Sequence, residues 1–301
     1  MQTENTSVAS DVYSLVTDKI IELLEAGTIP WHKPWTDAGL PRNLISKRPY
    51  RGINHLLLNA MGFSQNQFLT WKQLKTIGGS VKKGEKGILV VFNKMIEQQK
   101  EGETKIEKKS FLRYYKVFNV AQCNDIPSAF IPPSEQRDHE PLYECEQIIE
   151  GMADCPLIRH EDDEAHYVPA LDYINMPHLS SFDSSPDYYG TLFHELIHST
   201  GHQKRIGRKE VYENPHYGTE MYSLEELVAE MGSCYLKSHT GIPIAELENN
   251  AAYIRDWLEV FKGDKRIVVM AASRAQQAVE YILKVTEVKG EPEVVVLEVG
   301  E

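Results

Sequence analysis

The stretch His194-Glu195-Leu196-Ile197-His198 places two imidazoles and a carboxylate on one predicted helix. Residues four apart lie one turn above one another on an α-helix, so His194 and His198 can bind the same metal ion. Glu195 follows the first ligand directly and can accept a proton from a water molecule at the metal. This is the H-E-x-x-H pattern of zinc metallopeptidases, and it predicts Zn²⁺ as the cofactor and Glu195 as the general base.

The residues around the motif predict a helix with a defined start, a buried stripe and a defined end. Ser185 can act as the N-cap, and Pro186 suits the first helical position because its missing N–H needs no partner there. Gly201 follows the motif, and glycine commonly ends a helix. The apolar stripe that would anchor this helix in a core consists of Leu192, Phe193, Leu196 and Ile197.

A catalytic zinc ion usually takes three protein ligands and leaves one position open for water. The metzincin spacing would require a histidine at the position of Lys204, so that class is excluded. The next strongly helical segment, residues 223–232, carries Glu226 and Glu230 one turn apart. Thermolysin-like enzymes use such a pair, the first as a metal ligand and the second as the partner of a ligating histidine. We therefore expect Glu226 to bind the metal and Glu230 to orient His194.

Other assignments for this helix remain open at the level of sequence. Ser223 and Glu226 have the spacing of a capping box, in which the glutamate only stabilises the start of a helix. Glu230, Glu225 or a histidine could also supply the third ligand.

The composition indicates a chain with substantial cores and no membrane-spanning or secretory segment. No apolar run approaches the length of a membrane span, and the polar N-terminus lacks the pattern of a signal peptide. The four cysteines are scattered without a C-x-x-C pair, so neither a disulfide framework nor a cysteine zinc site is indicated. We expect a cytoplasmic protein with no membrane partner.

Charge is distributed unevenly along the chain, although the net charge is −12. Residues 1–130 contain 18 Lys and Arg against 12 Asp and Glu, whereas the remainder contains 14 against 32. This asymmetry predicts two modules with different partners. We expect an α+β protein with a small mixed α/β domain at 1–130, a proline-containing linker at 131–141 and a second domain at 142–301.

In the basic half, aromatic residues are interleaved with lysine and arginine. Bases of unpaired nucleic acid stack on flat side chains while cations bind the phosphates, so the pattern favours single-stranded DNA as a partner. The alternative is that the aromatic rings fill the core and the lysines form a solvated face. The candidate DNA-binding residues are Trp31, Lys33, Trp35, Tyr50, Arg51, Asn54, Trp71, Lys72, Lys82, Lys83 and Lys86.

Taken together, the motifs of both halves resemble those of the ArdC-type antirestriction proteins of conjugative plasmids. The match runs in order through most of the chain. The matching segments are Pro30-Trp-His-Lys-Pro-Trp35, Tyr50-Arg-Gly-Ile-Asn54, Thr70-Trp-Lys-Gln73, Lys83-Gly-Glu-Lys-Gly87, Phe118-Asn-Val-Ala-Gln122, His194-Glu-Leu-Ile-His-Ser-Thr-Gly-His202 and Glu225-Glu-Leu-Val-Ala-Glu230.

The resemblance implies a single-stranded-DNA-binding domain joined to a zincin-like metallopeptidase domain. It also implies that the protein shields incoming plasmid DNA from host restriction during conjugation, with an unidentified protein substrate or restriction-system component as a further partner. Two alternatives remain: a DNA-binding or blocking module whose metal site is structural, and a DNA-dependent protease that acts on DNA-bound proteins.

Overall fold

The protein is described by a computed structural model that covers residues 4–31, 40–63, 65–99, 106–127, 130, 141–213, 220–242 and 251–285. It has the predicted α+β architecture. The helices are α1 (Glu4–Glu25), α2 (Ile53–Asn59), α3 (Trp71–Thr76), α4 (Pro141–Gly151), α5 (Ser185–Thr200), α6 (Lys209–Tyr212), α7 (Glu220–Thr240), α8 (Ala251–Gly263) and α9 (Ile267–Ile282). The strands are β1 (Arg42–Asn43), β2 (Gln67–Thr70), β3 (Ser80–Val81), β4 (Ile88–Gln99), β5 (Ile106–Asn119), β6 (Cys123–Asn124), β7 (Leu157–Arg159), β8 (His166–Val168) and β9 (Tyr173–Asn175).

The N-terminal half contains a four-stranded sheet in the order β1-β2-β5-β4. Strands β4 and β5 form a long antiparallel hairpin, paired from Ile88 opposite Val117 to Gln99 opposite Ile106. The two apolar stretches of the hairpin lie at 89–92 and 111–120, and the pairing continues beyond them into polar sequence. This is possible because the hydrogen bonds of the ladder join backbone groups and tolerate polar side chains.

A separate group of buried side chains forms what we call the small lobe, which comprises residues 42–48, 67–87, 117–127 and 130. In it, the two-stranded sheet of β3 and β6 packs beside α3. Its buried residues are Leu44, Leu69, Leu74, Val120 and Cys123.

The C-terminal half combines helices with a three-stranded sheet in the order β7-β9-β8, in which β7 is parallel and β8 antiparallel to β9. The helix that carries the motif begins one residue earlier than expected, because Ser184, not Ser185, is its N-cap and accepts a hydrogen bond from the Asp187 amide. Gly201 ends the helix, as predicted. Within the described ranges, no helix combines the length and apolarity needed to cross a bilayer.

The two halves share one large hydrophobic core. Helix α1 contacts α8 and α9, and α2 contacts α9. Thr17 Oγ1 donates to the carbonyl oxygen of Lys265 at 2.6 Å, and Arg51 pairs with Glu280 at 2.6 Å. Of the predicted linker at 131–141, only Pro141 lies within the described residues, as the first residue of α4.

Candidate metal centre and DNA-binding residues

Helices α5 and α7 approach closely because small residues line their contact. A Cβ atom on Gly232 would lie 2.6 Å from Ile197 Cδ1, so only glycine allows this spacing. Ser233 Oγ donates to the carbonyl oxygen of Gly190 at 2.9 Å and joins the helices one layer further along. The two histidines of α5 therefore face the glutamates of α7 directly.

The structure brings the three predicted ligands together. His194 Nε2 and His198 Nε2 lie 3.1 Å apart, and Glu226 oxygens lie 3.5 Å from the first and 3.6 Å from the second. A tetrahedral ion with ligand bonds of about 2.0–2.1 Å separates its ligand atoms by about 3.3 Å. In this ligand triangle, Glu226 Oε2 lies beside His194 and Oε1 beside His198, and one ligand atom from each residue lies within 4.8 Å of the others. The three side chains can therefore hold a small divalent metal ion, and the donor set of two imidazoles and one carboxylate suits it chemically.

The position of Glu226 within α7 excludes the capping-box alternative. The helix begins at Glu220, so Ser223 already lies inside it and cannot act as its N-cap. Glu195, the predicted general base, is buried at 7% exposure, and its charge acts on His198.

Glu225 contacts His198, a partnership that the sequence does not predict, since there Glu225 is only an alternative third ligand. Its Oε1 lies 3.1 Å from His198 Nδ1, on the side of the ring away from the ligand triangle. Arg208 donates to both of its oxygens, at 2.6 and 2.8 Å, and also to the carbonyl of Ile197 and the hydroxyl of Thr200. A buried arginine–glutamate pair thus fixes the orientation of the imidazole of His198, a candidate metal ligand.

The electrostatics of the centre favour a cation. Burial lowers the pKa of His198, but the hydrogen bond and charge of Glu225, with the charges of Glu195 and Glu226, raise it to about 9. Burial raises the pKa of Glu226, yet the two imidazoles outweigh it and the pKa falls below its usual value. Arg208 and His198 likewise outweigh burial at Glu225 and lower its pKa. Glu225 and Glu226, the two carboxylates with a lowered pKa, therefore lie beside the imidazole pair as anions.

Glu230 lies one turn beyond Glu226 on α7, as expected, and its charge acts to raise the pKa of Glu226. Its role in orienting His194 remains a prediction. Glu225 is the carboxylate that contacts Nδ1 of His198, the ring nitrogen facing away from the ligand triangle.

Two arginines secure the C-terminal end of α5. Arg205 Nη1 donates a hydrogen bond to the carbonyl oxygen of Ser199 at 2.9 Å and pairs with Asp172 at 2.8 Å. Arg208 donates a hydrogen bond to the carbonyl oxygen of Ile197. Cations are favourable at this end of a helix because the free carbonyls carry partial negative charge. The second histidine is therefore held on a helix end that cannot fray easily.

Two predicted stacking residues are core residues instead. Trp31 is 1% exposed and packs edge-on against Trp257 and Phe261, with ring centroids 6.1 Å apart in each pair. Tyr50 is buried against Phe68, and burial raises the pKa of its hydroxyl. Neither ring presents a face to a base, so the DNA-binding prediction for these two residues is corrected to a packing role.

Three further candidates make contacts within the protein. Arg51 pairs with Glu280, and the side chain of Asn54 exchanges two hydrogen bonds of 2.7 Å with the backbone of Val91. Lys82 Nζ donates to the carbonyl of Ala121 at 2.7 Å, although its side chain is exposed. Their part in DNA binding stays a prediction. Lys33 and Trp35 lie outside the described residues.

The remaining candidates are on the surface of the small lobe. Trp71 is 53% exposed at the start of α3, and Lys72 beside it is exposed. Lys83 and Lys86 are exposed in the turn before β4. These residues are accessible to a ligand.

An H-E-x-x-H helix completed by a glutamate from a neighbouring helix defines the zincin-like class of metalloproteins. Comparison agrees: the family described as "Zincin-like metallopeptidase" matches residues 145–274. A second family, "N-terminal domain of anti-restriction factor ArdC", matches residues 10–118. The chain belongs to the ArdC antirestriction family.

Solved structures and sequence relatives support this membership. The metal-free crystal structure of antirestriction protein ArdC from plasmid R388 is 35% identical, with a TM-score of 0.74 over 91% of this chain and 97% of that chain. Its Mn(II)-bound structure has a TM-score of 0.70. The uncharacterized protein y4eC of Sinorhizobium fredii is 32% identical over 94% of this chain and 95% of its own length.

Two Escherichia coli proteins named DNA primase TraC are each 31% identical over more than nine-tenths of this chain. The chain spans only 20% of one TraC and 27% of the other. The similarity to TraC therefore concerns one segment of a longer protein.

Proposed function

We propose that this chain is a cytoplasmic antirestriction protein that binds single-stranded DNA and hydrolyses peptide bonds at a zinc site, and so protects plasmid DNA entering by conjugation. The observation that carries the hydrolytic part is the convergence of His194, His198 and Glu226, in which the two Nε2 atoms lie 3.1 Å apart and the Glu226 oxygens lie 3.5 and 3.6 Å from them. The Mn(II)-bound structure of the R388 relative supports a divalent cation, and the donor set favours zinc.

Bound zinc would lower the pKa of a water molecule toward about 7 and polarise a substrate carbonyl. Glu195 follows His194 directly, so its carboxylate would accept a proton from the attacking water and deliver it to the departing amine. Glu225 and Arg208 would keep the His198 ring in the tautomer that presents Nε2 to the metal.

The test compares the wild type with Glu195→Gln and Glu195→Ala, and with Glu150→Gln on the exposed face of α4 as a matched control. Each protein is assayed for zinc content, for cleavage of a casein substrate with and without single-stranded DNA, and for protection of a plasmid from restriction in recipient cells. We expect the two Glu195 variants to bind zinc normally and to lose cleavage by at least about 100-fold, as removal of a general base predicts.

Each outcome identifies a different function. Full cleavage by Glu195→Gln would refute the assignment of Glu195 as the general base. Wild-type protein that contains no zinc and does not bind added zinc would refute the proposed hydrolase activity. Protection that survives in Glu195→Ala would indicate a blocking module with a structural metal. Cleavage that requires single-stranded DNA would indicate a protease directed at DNA-bound proteins.

A further inference from the structure

We propose that single-stranded nucleic acid binds on the outer surface of the small lobe, with Trp71 as the stacking platform and the exposed lysines of the small lobe as phosphate ligands. The inference rests on the proposed DNA binding and assigns it to one surface. Much of the rest of the N-terminal half is a poorer candidate for the binding surface, because Trp31 and Tyr50 are core residues and Arg51 is paired with Glu280.

The charge of this part of the chain is unusually one-sided. Residues 38–84 contain eight lysine and arginine residues and no aspartate or glutamate. Most of these cations are exposed on the small lobe, where the acidic residues are Glu85 and Asp125. The exposed members are Lys47, Arg48, Lys72, Lys75, Lys82 and Lys83. A polyanion is the ligand that such a surface complements.

Trp71 gives the surface a group that recognises bases. Of the tryptophans in the described residues, Trp31 and Trp257 are buried, whereas Trp71 is 53% exposed. The ammonium group of Lys75 lies 4.8 Å from its ring centroid, which pairs a flat ring with a cation one turn further along α3. This combination suits a nucleotide, because its base can stack on the ring while its phosphate meets the lysine.

The segments that carry these cations are anchored to the small lobe by side-chain amides. Asn43 and Gln73 exchange two hydrogen bonds, of 3.0 and 3.3 Å, and so join the segment containing Lys47 and Arg48 to α3. Gln122 donates to the Glu85 side chain at 2.8 Å and to the Lys86 carbonyl at 3.1 Å, which fixes the turn before β4.

These anchors matter for affinity because a surface that is already ordered loses less conformational entropy when a ligand binds.

The chemistry favours unpaired strands over a duplex. Stacking on Trp71 requires an accessible base face, which base pairs in a duplex bury within the stack. Helix α3 has six residues, too few for the recognition helix of a major-groove reader. The described part of the small lobe otherwise offers short strands and turns.

The first experiment measures binding of a fluorescent oligothymidylate to the full-length protein by anisotropy. Trp71→Ala should weaken binding about 5- to 150-fold, the range for loss of one base–aromatic stack. Trp71→Phe keeps a flat ring and should retain most of the affinity. Tyr143→Ala, which removes a 63% exposed aromatic ring from α4, is the matched control and should bind like the wild type.

The second experiment measures the salt dependence of the same binding. Each phosphate contact to a single strand contributes about 0.7 to the slope of log affinity against log salt, so Lys83→Ala with Lys86→Ala should reduce that slope by about 1.4. Lys19→Ala with Lys262→Ala removes a half-buried cation from α1 and an exposed cation from α8, and should leave the slope unchanged.

The outcomes separate this inference from the proposed function. Wild-type protein that does not bind oligothymidylate at low salt would refute the proposed DNA binding itself. Tight wild-type binding that neither Trp71→Ala nor the paired lysine substitution changes would overturn the small-lobe assignment alone. Weaker competition by the matching duplex than by the single strand would support the assignment, and equal competition would count against it. Oligouridylate serves as the RNA arm, and its binding should show the same dependence on Trp71.

Discussion

Replacement of Glu225 by glutamine tests how the metal centre is supported, because it removes one charge and keeps the side-chain volume. Glu225 receives two hydrogen bonds from Arg208 and lies 3.1 Å from His198 Nδ1. The side chains of Arg208 and Glu225 are 5% and 6% exposed, so water cannot hydrate the Arg208 guanidinium group in place of the lost carboxylate. The substitution leaves a buried guanidinium group without its counter-charge.

The cost follows from these contacts. A hydrogen bond to a charged group contributes about 1.5–3 kcal/mol and a neutral one about 0.5–1.5 kcal/mol, so weakening three of them costs about 3 kcal/mol. Disruption of a buried ion pair by loss of one partner costs about 3–5 kcal/mol, which agrees. We expect the Tm to fall by about 6 °C or more. Loss of the carboxylate partner of a ligating histidine should also weaken zinc binding about 10- to 100-fold.

The assay combines thermal unfolding by circular dichroism with zinc titration against a chromogenic chelator, and Glu150→Gln serves as the exposed control. Zinc affinity is measured at a temperature where the variant is folded. Unchanged zinc affinity in folded Glu225→Gln would refute the claim that Glu225 orients His198. An unchanged Tm would refute the claim that Arg208 depends on it for stability.

Three further predictions concern packing and pH. Gly232→Ala should destabilise the protein by about 1–3 kcal/mol in urea unfolding because its Cβ would lie 2.6 Å from Ile197, whereas Gly263→Ala, with open space around it, should not. Trp31→Ala should lower the free energy of unfolding by about 3–5 kcal/mol, and a smaller loss than about 1 kcal/mol would contradict its core role. Burial and the nearby His239 lower the pKa of His55 to about 3. Below pH 6.5 the unfolded chain therefore binds a proton that the folded protein does not, and the protein becomes less stable as the pH decreases. At pH 5 this contributes a loss of about 2 kcal/mol relative to neutral pH, which His55→Gln should remove from the measured pH dependence.

The cluster of candidate metal ligands could be predicted from the sequence because helical periodicity brings its members together. His194 and His198 must share a face at four-residue spacing, and Glu226 belongs to the next long helix. The partner of His198 could not be predicted in the same way. Glu225 and Glu226 are adjacent, and only the packing of α7 against α5 decides which carboxylate faces the ligand triangle and which faces the far side of the ring.

The DNA-binding candidates show a different limit of the sequence. Trp31 and Trp71 both have lysines nearby in the sequence, yet Trp31 packs against Trp257 and Phe261 of α8, a contact that forms only in the folded protein. Asn54 belongs to a motif near basic residues, which makes it a DNA-binding candidate in the sequence. In the structure, its side chain forms hydrogen bonds with the backbone of β4. Local composition indicates a basic, aromatic half, but tertiary packing determines which of its side chains reach the surface.

The core shared by α1, α2, α8 and α9 has a consequence for protein engineering and for gene fusion. A fragment restricted to residues 145–274 would lose Trp31 from its packing against Trp257 and Phe261, and would expose that apolar face to water. Such a fragment should aggregate, so a functional graft would have to include both family segments. The relatives accord with this requirement, since even within the much longer TraC proteins the similarity extends over about 300 consecutive residues.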